Sequence, residues 1–413
     1  MMKYAIRLLL FIALITSACQ KDVLPLPEPP FSEPSKLEVV WQRAASQDMT
    51  RRWIHVHDVR NKKVLYSSSF ALMPATLQVR NSITGSYLWT YHDWISLPSE
   101  LYLTSNVFAY DNDLIIVEDN GNVYAINYNT GETFWYYTDT GWPLGSNRIA
   151  DHFYTIHKTG EWHDITSSSL VRIPAQPFFS GWDTLYTQYA VPDSFPLISF
   201  PVLWVNPPGD SVLVFGESQG YNGSPSSAGR SKNMLTAWNL RTSNVLWQYV
   251  GLKGVYTAPP LVDGDRIYLM GASVYCHDLN TGNILWEKKI DGGFGDTPLA
   301  FQDILIVQTG SDGIWGFNKY TGEIIWHNKD AVGGAGRLAL FEGIIYLASG
   351  HGRLCAFDAQ TGRTIWNERS PNRFNPKTSE ASFSLTGVAI DTQYRLLYTS
   401  DEFYIMCIKL PEK

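Results

Sequence analysis

Hydrophobic residues in this chain come in short runs, broken at close intervals by Gly, Asn, Asp and Thr. One such stretch is Ile314-Trp315-Gly316-Phe317-Asn318, followed at once by Thr321-Gly322-Glu323-Ile324-Ile325-Trp326. Two apolar runs joined by a turn with glycine available for positive φ predict a β-hairpin. The phrase recurs at Thr84-Gly85 with Trp89, Thr130-Gly131 with Trp135, Thr281-Gly282 with Trp286 and Thr361-Gly362 with Trp366. At Thr242-Ser243 with Trp247 the glycine is missing. Trp247, Trp286, Trp326 and Trp366 stand 39, 40 and 40 residues apart. A fixed period of this size marks a propeller or a solenoid. Two further strand-like runs precede the hairpin, as in Ala258 to Val262 and Arg266 to Leu269, with no helical pattern between them. Four short antiparallel strands per unit predict a propeller blade, and a Trp is large enough to cover the gap to the next blade.

Blades are expected to end at Trp89, Trp135, Trp247, Trp286, Trp326 and Trp366. The 112 residues from Trp135 to Trp247 hold two units, so Ile149 to Tyr189 is read as a degenerate third blade without the Thr-Gly phrase. Lys36 to Trp41 reads like the end of the phrase without its beginning, and Arg395 to Leu410 like a blade without its last strand. The expectation is an all-β, eight-bladed β-propeller over residues 37–413, with four-stranded blades and the ring closed by the N-terminal strand. Closure of this kind removes exposed edges. A structural girdle of Trp41, Trp89, Trp135, Trp247, Trp286, Trp326 and Trp366 follows from it.

The pattern Ala-x-Asp-x-x-Thr-Gly-x-x-x-Trp, as it stands from Ala356 to Trp366, resembles the repeat of quinoprotein-type propellers. That repeat is shared by pyrroloquinoline-quinone (PQQ) dehydrogenases and by the BamB family, the lipoprotein subunit of the outer-membrane β-barrel assembly machine. The resemblance implies the fold and leaves the activity open, because one fold hosts many sites. The Leu-x-Leu-Arg-Gly segment that resembles the partner-binding strand of the BamB family is missing, and Leu197-Ile198-Ser199-Phe200-Pro201 stands roughly in its place.

At the N-terminus, Lys3 and Arg7 flank the apolar run Leu8 to Ile15, followed by Thr16-Ser17-Ala18-Cys19. This is the pattern of a secretory signal peptide over residues 1–18, too short to remain as a membrane span. Cys19 after small residues resembles the lipobox of bacterial lipoproteins and is the expected lipidation site, with Thr16 standing where Leu is usual. Residues 19–36 form a tether carrying Pro25, Pro27, Pro29, Pro30 and Pro34. Gln20 follows the Cys where an Asp would resemble an inner-membrane retention signal, which favours the outer membrane. Gln20-Lys21-Asp22 also resembles a surface-export tag, so the periplasmic face and the cell surface both stay open.

Charge and cysteine content narrow the chemistry. The net charge is −7, and −9 once Lys3 and Arg7 leave with the signal, with no basic run to bind nucleic acid. Three cysteines remain after Cys19, an odd count that cannot pair completely. Cys276 and Cys407 fall where Ala125 and Ala237 stand in other units, and Cys355 falls one residue out of step. His55 and His57 alternate on a strand but lack further metal ligands at a supporting spacing. No Cys-x-x-Cys-His, Gly-x-Ser-x-Gly or His-Glu-x-x-His motif is present, and no catalytic residues are assigned.

The first strand of each blade is expected to line the central channel and to start on one face. That register places Asn106, Asn147, Arg148, Tyr256, Thr257, Asp296, Thr297, Arg337 and Thr386 around a funnel, either self-paired and wet or a ligand and partner site. Two enlarged loops reach the same face, Ser218 to Asn233 with Tyr221, Asn222 and Arg230, and Arg369 to Ser382 with Arg373 and Phe374. The functional expectation is a monomeric, lipid-anchored, non-catalytic scaffold in the outer envelope, without cofactor or metal. Its partner would be an outer-membrane or envelope protein, in a BamB-like role, or a glycan. The rival is a quinoprotein dehydrogenase with PQQ and calcium, which would need oxygen ligands for the metal and an acid beside the quinone, with Asp296 as the acid placed nearby.

Overall fold

In a computed structural model, the recurring Thr-Gly phrase becomes one repeated piece of hydrogen bonding. The structure describes residues 36–45, 53–70, 73–94, 109–111, 113–119, 122–137, 146–149, 152–160, 165–174, 181–191, 194–199, 201–221, 232–253, 259–290, 297–332, 337–375, 377–378, 381–383 and 387–411. Within it, Asn318 ends a strand and its Oδ1 accepts from the backbone N–H of Tyr320 and of Thr321. The Gly322 N–H then donates to the Asn318 carbonyl, and the Glu323 N–H to Thr321 Oγ1. The same set is built around Asn81, Asn127 and Asp358. An Asn or Asp that binds the backbone two and three residues on turns the chain sharply, which explains the acidic or amide residue before each Thr-Gly.

The described strands form eight antiparallel sheets. Blade 1 is β2 (Trp53–Arg60), β3 (Lys63–Phe70), β4 (Met73–Asn81) and β5 (Tyr87–Thr90). Blade 2 is β6 (Ala109–Asp111) to β9 (Thr133–Tyr137), and blade 3 is β10 (Ser146–Ile149) to β13 (Asp183–Tyr189). Blade 4 runs from β14 (Ser194–Ile198) to β18 (Asn244–Leu252). Its inner position is shared by β14 and β15 (Val202–Val205), which pair with opposite ends of β16 (Ser211–Tyr221). Blades 5, 6 and 7 are β19 (Leu261–Asp263) to β22 (Ile284–Lys289), β23 (Leu299–Phe301) to β26 (Ile324–Asn328), and β27 (Ala339–Phe341) to β30 (Thr364–Arg369). Blade 8 is β31 (Ala389–Asp391), β32 (Leu396–Ser400), β33 (Tyr404–Lys409) and, outermost, β1 (Val39–Ala44). The eight-bladed ring and its closure by the N-terminal strand are therefore present, with Trp41 opposite Cys407.

The outer hairpin of each blade carries the same irregularity. In blades 5, 6 and 7 the Trp faces a small residue of the third strand: Cys276 opposite Trp286, Gly316 opposite Trp326, Ala356 opposite Trp366. A β-bulge follows at once, and bulges re-aim side chains. The indoles of blades 5 and 6, Trp286 and Trp326, are thereby swung onto the Thr-Gly turn of the next blade. Trp41, Trp89, Trp247, Trp286 and Trp326 donate Nε1–H to the carbonyls of Ser82, Tyr128, Leu279, Lys319 and Ala359, at 2.8, 3.1, 2.8, 3.1 and 3.2 Å. Each acceptor lies three residues before the turn glycine, and the ring of the indole lies against that glycine. A methyl group at Gly362 would sit 2.5 Å from Cε3 of Trp326, and one at Gly85 would sit 2.7 Å from Cδ2 of Trp41. The glycines also adopt positive φ, +69° at Gly362. Two independent demands thus fix glycine at this place.

The exceptions follow the same logic. In blade 3, Tyr186 occupies the register position of the Trp, opposite Leu170 and beside a bulge. Its ring packs on Phe215 and Trp238, and its hydroxyl donates to the buried Glu217 at 2.8 Å. The turn of blade 4 therefore meets no indole from blade 3, and Ser243 stands there at φ 53° in place of glycine. Trp182, outside this register, packs on the cluster around Trp135 and on His157.

The apolar core is divided accordingly. Among the described residues, eight buried clusters are each made by two neighbouring blades, such as Ile304, Ile306 and Trp326 with Ile345, Leu347 and Phe357. Cluster and girdle bond together join blade to blade, as expected of an array stabilised by neighbour contacts. Cys276, Cys355 and Cys407 are free and buried inside this packing.

Two substitutions test the lock. Trp326→Ala is expected to cost about 3–5 kcal/mol in urea unfolding, because a buried aromatic is removed. Gly362→Ala alone should also destabilise, through the collision and the strained φ. In the double variant the collision is gone, so the two costs should sum to more than the measured loss. Strict additivity would contradict the contact.

Candidate functional site

The face on which the inner strands begin carries most of the described polar groups that sequence reasoning singled out. Arg337 lies two residues before β27, and Thr297 two residues before β23. Asn147 and Arg148 are part of β10, paired with Tyr154 and Phe153. Tyr221 is the last residue of β16. Cys19, Asn106, Asn222, Arg230, Tyr256, Thr257, Asp296 and Thr386 lie outside the described residues. The loop expected over 218–233 is shorter than the sequence suggests, because Ser218 and Asn233 face each other in the ladder of β16 with β17 (Lys232–Asn239). The polar residues there continue the strands instead of leaving them.

At the channel, the structure unites groups far apart in the chain. His55 and His57 stack on one side of β2 with ring centroids 6.4 Å apart. His57 is buried in the bulge of that strand, with Nε2 2.8 Å from Ser67 Oγ. Burial lowers the His55 pKa to about 4. Burial first, then the neighbouring His55 and the Arg337 guanidinium, hold His57 well below the ordinary imidazole range. With both pKa values lowered, the two imidazoles are neutral at pH 7.

The link from blade 7 to blade 8 is the best-defined feature of this face. It contains a 3-10 turn, Pro371–Phe374, capped by Ser370 Oγ on the Asn372 N–H. One buried carboxylate organises it. Asp401 accepts from Ser370 Oγ (2.5 Å), Asn372 Nδ2 (2.8 Å) and the N–H of Phe403 and Tyr404 (3.3 and 2.9 Å). Burial pushes the Asp401 pKa up, and these four hydrogen bonds pull against it. Asn372 also donates to Gln42 Oε1 of the closing strand at 3.1 Å, so the link is tied to both sides of the ring seam. Held this way, the turn presents Phe374, 52% exposed, beneath the Arg373 guanidinium at 4.4 Å from the ring centroid. An exposed aromatic and an arginine on a rigid support have the composition of a protein-contact site.

A calcium-held quinone would need oxygen donors at the mouth, and Asp296, the acid expected there, lies outside the described residues. Calcium takes six to eight oxygen ligands. The groups described at the mouth are two neutral imidazoles and a guanidinium, and among the described residues no three His, Cys, Asp or Glu side chains are gathered to hold a metal.

Comparison with known proteins agrees with this architecture. A family model described as outer membrane protein assembly factor BamB matches residues 231–392, which run from the third strand of blade 4 into blade 8. No curated protein sequence matches the chain. Among solved structures, BamB from Moraxella catarrhalis superposes with a TM-score of 0.60 at 15% identity, over 91% of this chain and 100% of that one. The computationally designed protein Ika8 gives 0.61 at 12% identity, again over 91% and 100%. The quinohemoprotein alcohol dehydrogenase ADHIIG from Pseudomonas putida HK5 gives 0.58 at 12% identity, over 91% of this chain and 77% of that one. The protein is a β-propeller of PQQ-like repeats. Within that class it resembles BamB.

The buried imidazoles make stability depend on pH with a defined sign. Their folded pKa lies below the unfolded value near 6.5, so the unfolded chain binds protons that the folded chain refuses. Stability is complete above pH 6.5 and falls as pH drops from there towards about 4. Asp401, with its raised pKa, contributes the opposite sign at lower pH. Thermal melts should therefore show Tm falling between pH 7 and pH 5, and the fall should shrink in His57→Asn. An unchanged slope in that variant would exclude His57 as the source.

Proposed function

We propose that this chain is a lipid-anchored, non-catalytic scaffold of the outer envelope, which contacts an outer-membrane protein or its assembly machinery in a BamB-like way. The observation that carries this reading is the match of residues 231–392 to a family described as an outer-membrane assembly factor. The full-length cover of BamB, against 77% of the dehydrogenase, supports it, since the enzyme has parts with no counterpart in this propeller. Anchoring would be through Cys19, with the Pro-rich segment after it as the spacer. Partner contact is assigned to the face bearing Arg337 and the clamped link, with Phe374 and Arg373 as its contact residues. Loops on a rigid frame are the usual place for such contacts.

The anchor and the contact are tested separately. Cys19→Ala should shift the protein from the membrane to the soluble envelope fraction, since each buried CH₂ of an acyl chain contributes about 0.8 kcal/mol. A photo-crosslinking residue at Phe374 should capture an outer-membrane or assembly protein in intact cells. Arg373→Ala should weaken capture without changing the melting temperature. Tight binding of quinone with calcium, accompanied by dye-linked oxidation of an alcohol or sugar, would replace the scaffold with an enzyme.

A further inference from the structure

The opposite face is the one where each blade makes its turn between first and second strands. At two junctions on this face neighbouring blades are bridged: Lys319 of blade 6 pairs with Asp263 of blade 5 at 2.7 Å, and Arg395 of blade 8 pairs with Glu342 of blade 7 at 2.5 Å. The turn of blade 8 is longer. Blades 6 and 7 turn within two residues, Gln302-Asp303 and Glu342-Gly343, while blade 8 spends Thr392 to Arg395. Between that longer turn and the turn of blade 1 lies an open cleft of about 500 Å³. This is within the usual range for a small-molecule site.

Both walls are fixed in place. On blade 1, Asn61 and Lys62 take φ of 49° and 58°, and the Lys62 carbonyl accepts from the Ser82 N–H at 2.9 Å. On blade 8, Asp391 Oδ1 accepts from the N–H of Gln393 and Tyr394 at 3.0 and 3.1 Å. The second oxygen of Asp391 has no hydrogen bond among the described residues, and neither Asp391 nor Lys62 has an ion-pair partner there. Val59 and Ile390 contribute apolar surface to the lining. Tyr394 is 38% exposed, with Lys62 Nζ 5.9 Å from its ring centroid.

We propose that this cleft binds a neutral saccharide. A sugar ring has one apolar C–H face and a rim of hydroxyls, each both donor and acceptor. Tyr394 offers the flat surface for the first. Asp391 accepts, Lys62 donates, and the amides of Asn61 and Gln393 with the Thr392 hydroxyl do both, which suits the second. Arg60 is already paired with Asp58 at 3.0 Å, so Lys62 and Asp391 leave the cleft close to neutral and poorly matched to a phosphate or carboxylate ligand. The site is remote from the Arg373 and Phe374 face and stands independently of the partner assigned there.

The test uses the full chain in detergent, with calorimetry and saturation-transfer NMR. The probes are oligosaccharides of glucose, galactose, mannose and N-acetylglucosamine at millimolar concentration, with inorganic phosphate as the anion comparison. At least one sugar should bind. Tyr394→Ala and Asp391→Asn should each weaken it about tenfold or more, the loss expected for a site's central contacts. Tyr320→Ala, which removes an exposed tyrosine beside Lys319 on blade 6, should leave binding unchanged. Should Tyr394→Ala alter the melt, Gln393→Ala reads the same wall without touching the ring. Absence of binding across the panel, binding indifferent to these variants, or preference for phosphate would each overturn the proposal. Crosslinking through Phe374 would stand in any of those cases.

Discussion

A tryptophan lying on the glycine of the next blade is the contact on which this ring depends. It combines apolar burial, a directed Nε1–H bond and a backbone conformation that a side chain would strain. The three require one another. The indole needs a turn without Cβ. The turn needs an Asn or Asp cap and a following Thr to hold its shape. The bulge in the outer hairpin aims the indole there. Five junctions carry the whole set, including the seam, where Trp41 of the N-terminal strand reaches the turn of blade 1.

The same constraint explains what varies. Where blade 3 substitutes Tyr186 for the indole, the next turn no longer requires glycine and carries Ser243. A buried Glu217 takes the tyrosine hydroxyl there, together with Thr236 and Gln248, so the junction is held by polar contacts in addition to packing. Ring closure also creates the sites. Only because residue 41 docks beside residue 82 do Arg337, His57 and the Asp401-clamped link share one face, and do the turns of blades 8 and 1 enclose a cleft on the other.

Much of the fold was legible because its signal repeats. The period of the tryptophans, the Thr-Gly turns and the half-units at the two ends predict eight blades and their closure. The third blade was legible as a degenerate unit over Ile149 to Tyr189, from its length and without the Thr-Gly phrase. Its register residue is a tyrosine, which no repeat phrase marks, although it stands where a bulged hairpin needs it. The divided inner strand of blade 4 was not legible, since Pro201 at the break reads equally well as a loop. The candidate sites were less legible than the fold for a physical reason. His57 with Arg337, Gln42 with Asn372 and Lys62 with Tyr394 are joined by closure of a long ring, and no local pattern encodes such pairs. The buried Asp401 had a readable trace, an acid followed by Glu402 beside an apolar strand, but its partners lie thirty residues upstream.

Whether the girdle makes the ring one cooperative body is answered most directly by native-state hydrogen exchange in increasing denaturant. The seam is the place to read it. If Trp41 and the Asp401 clamp lock the closing strand, the amides of β1 and β33 exchange only through the same global opening as those of blades 5 to 7. Exchange of β1 and β33 through a separate, lower-energy opening, with the other blades still protected, would contradict the account.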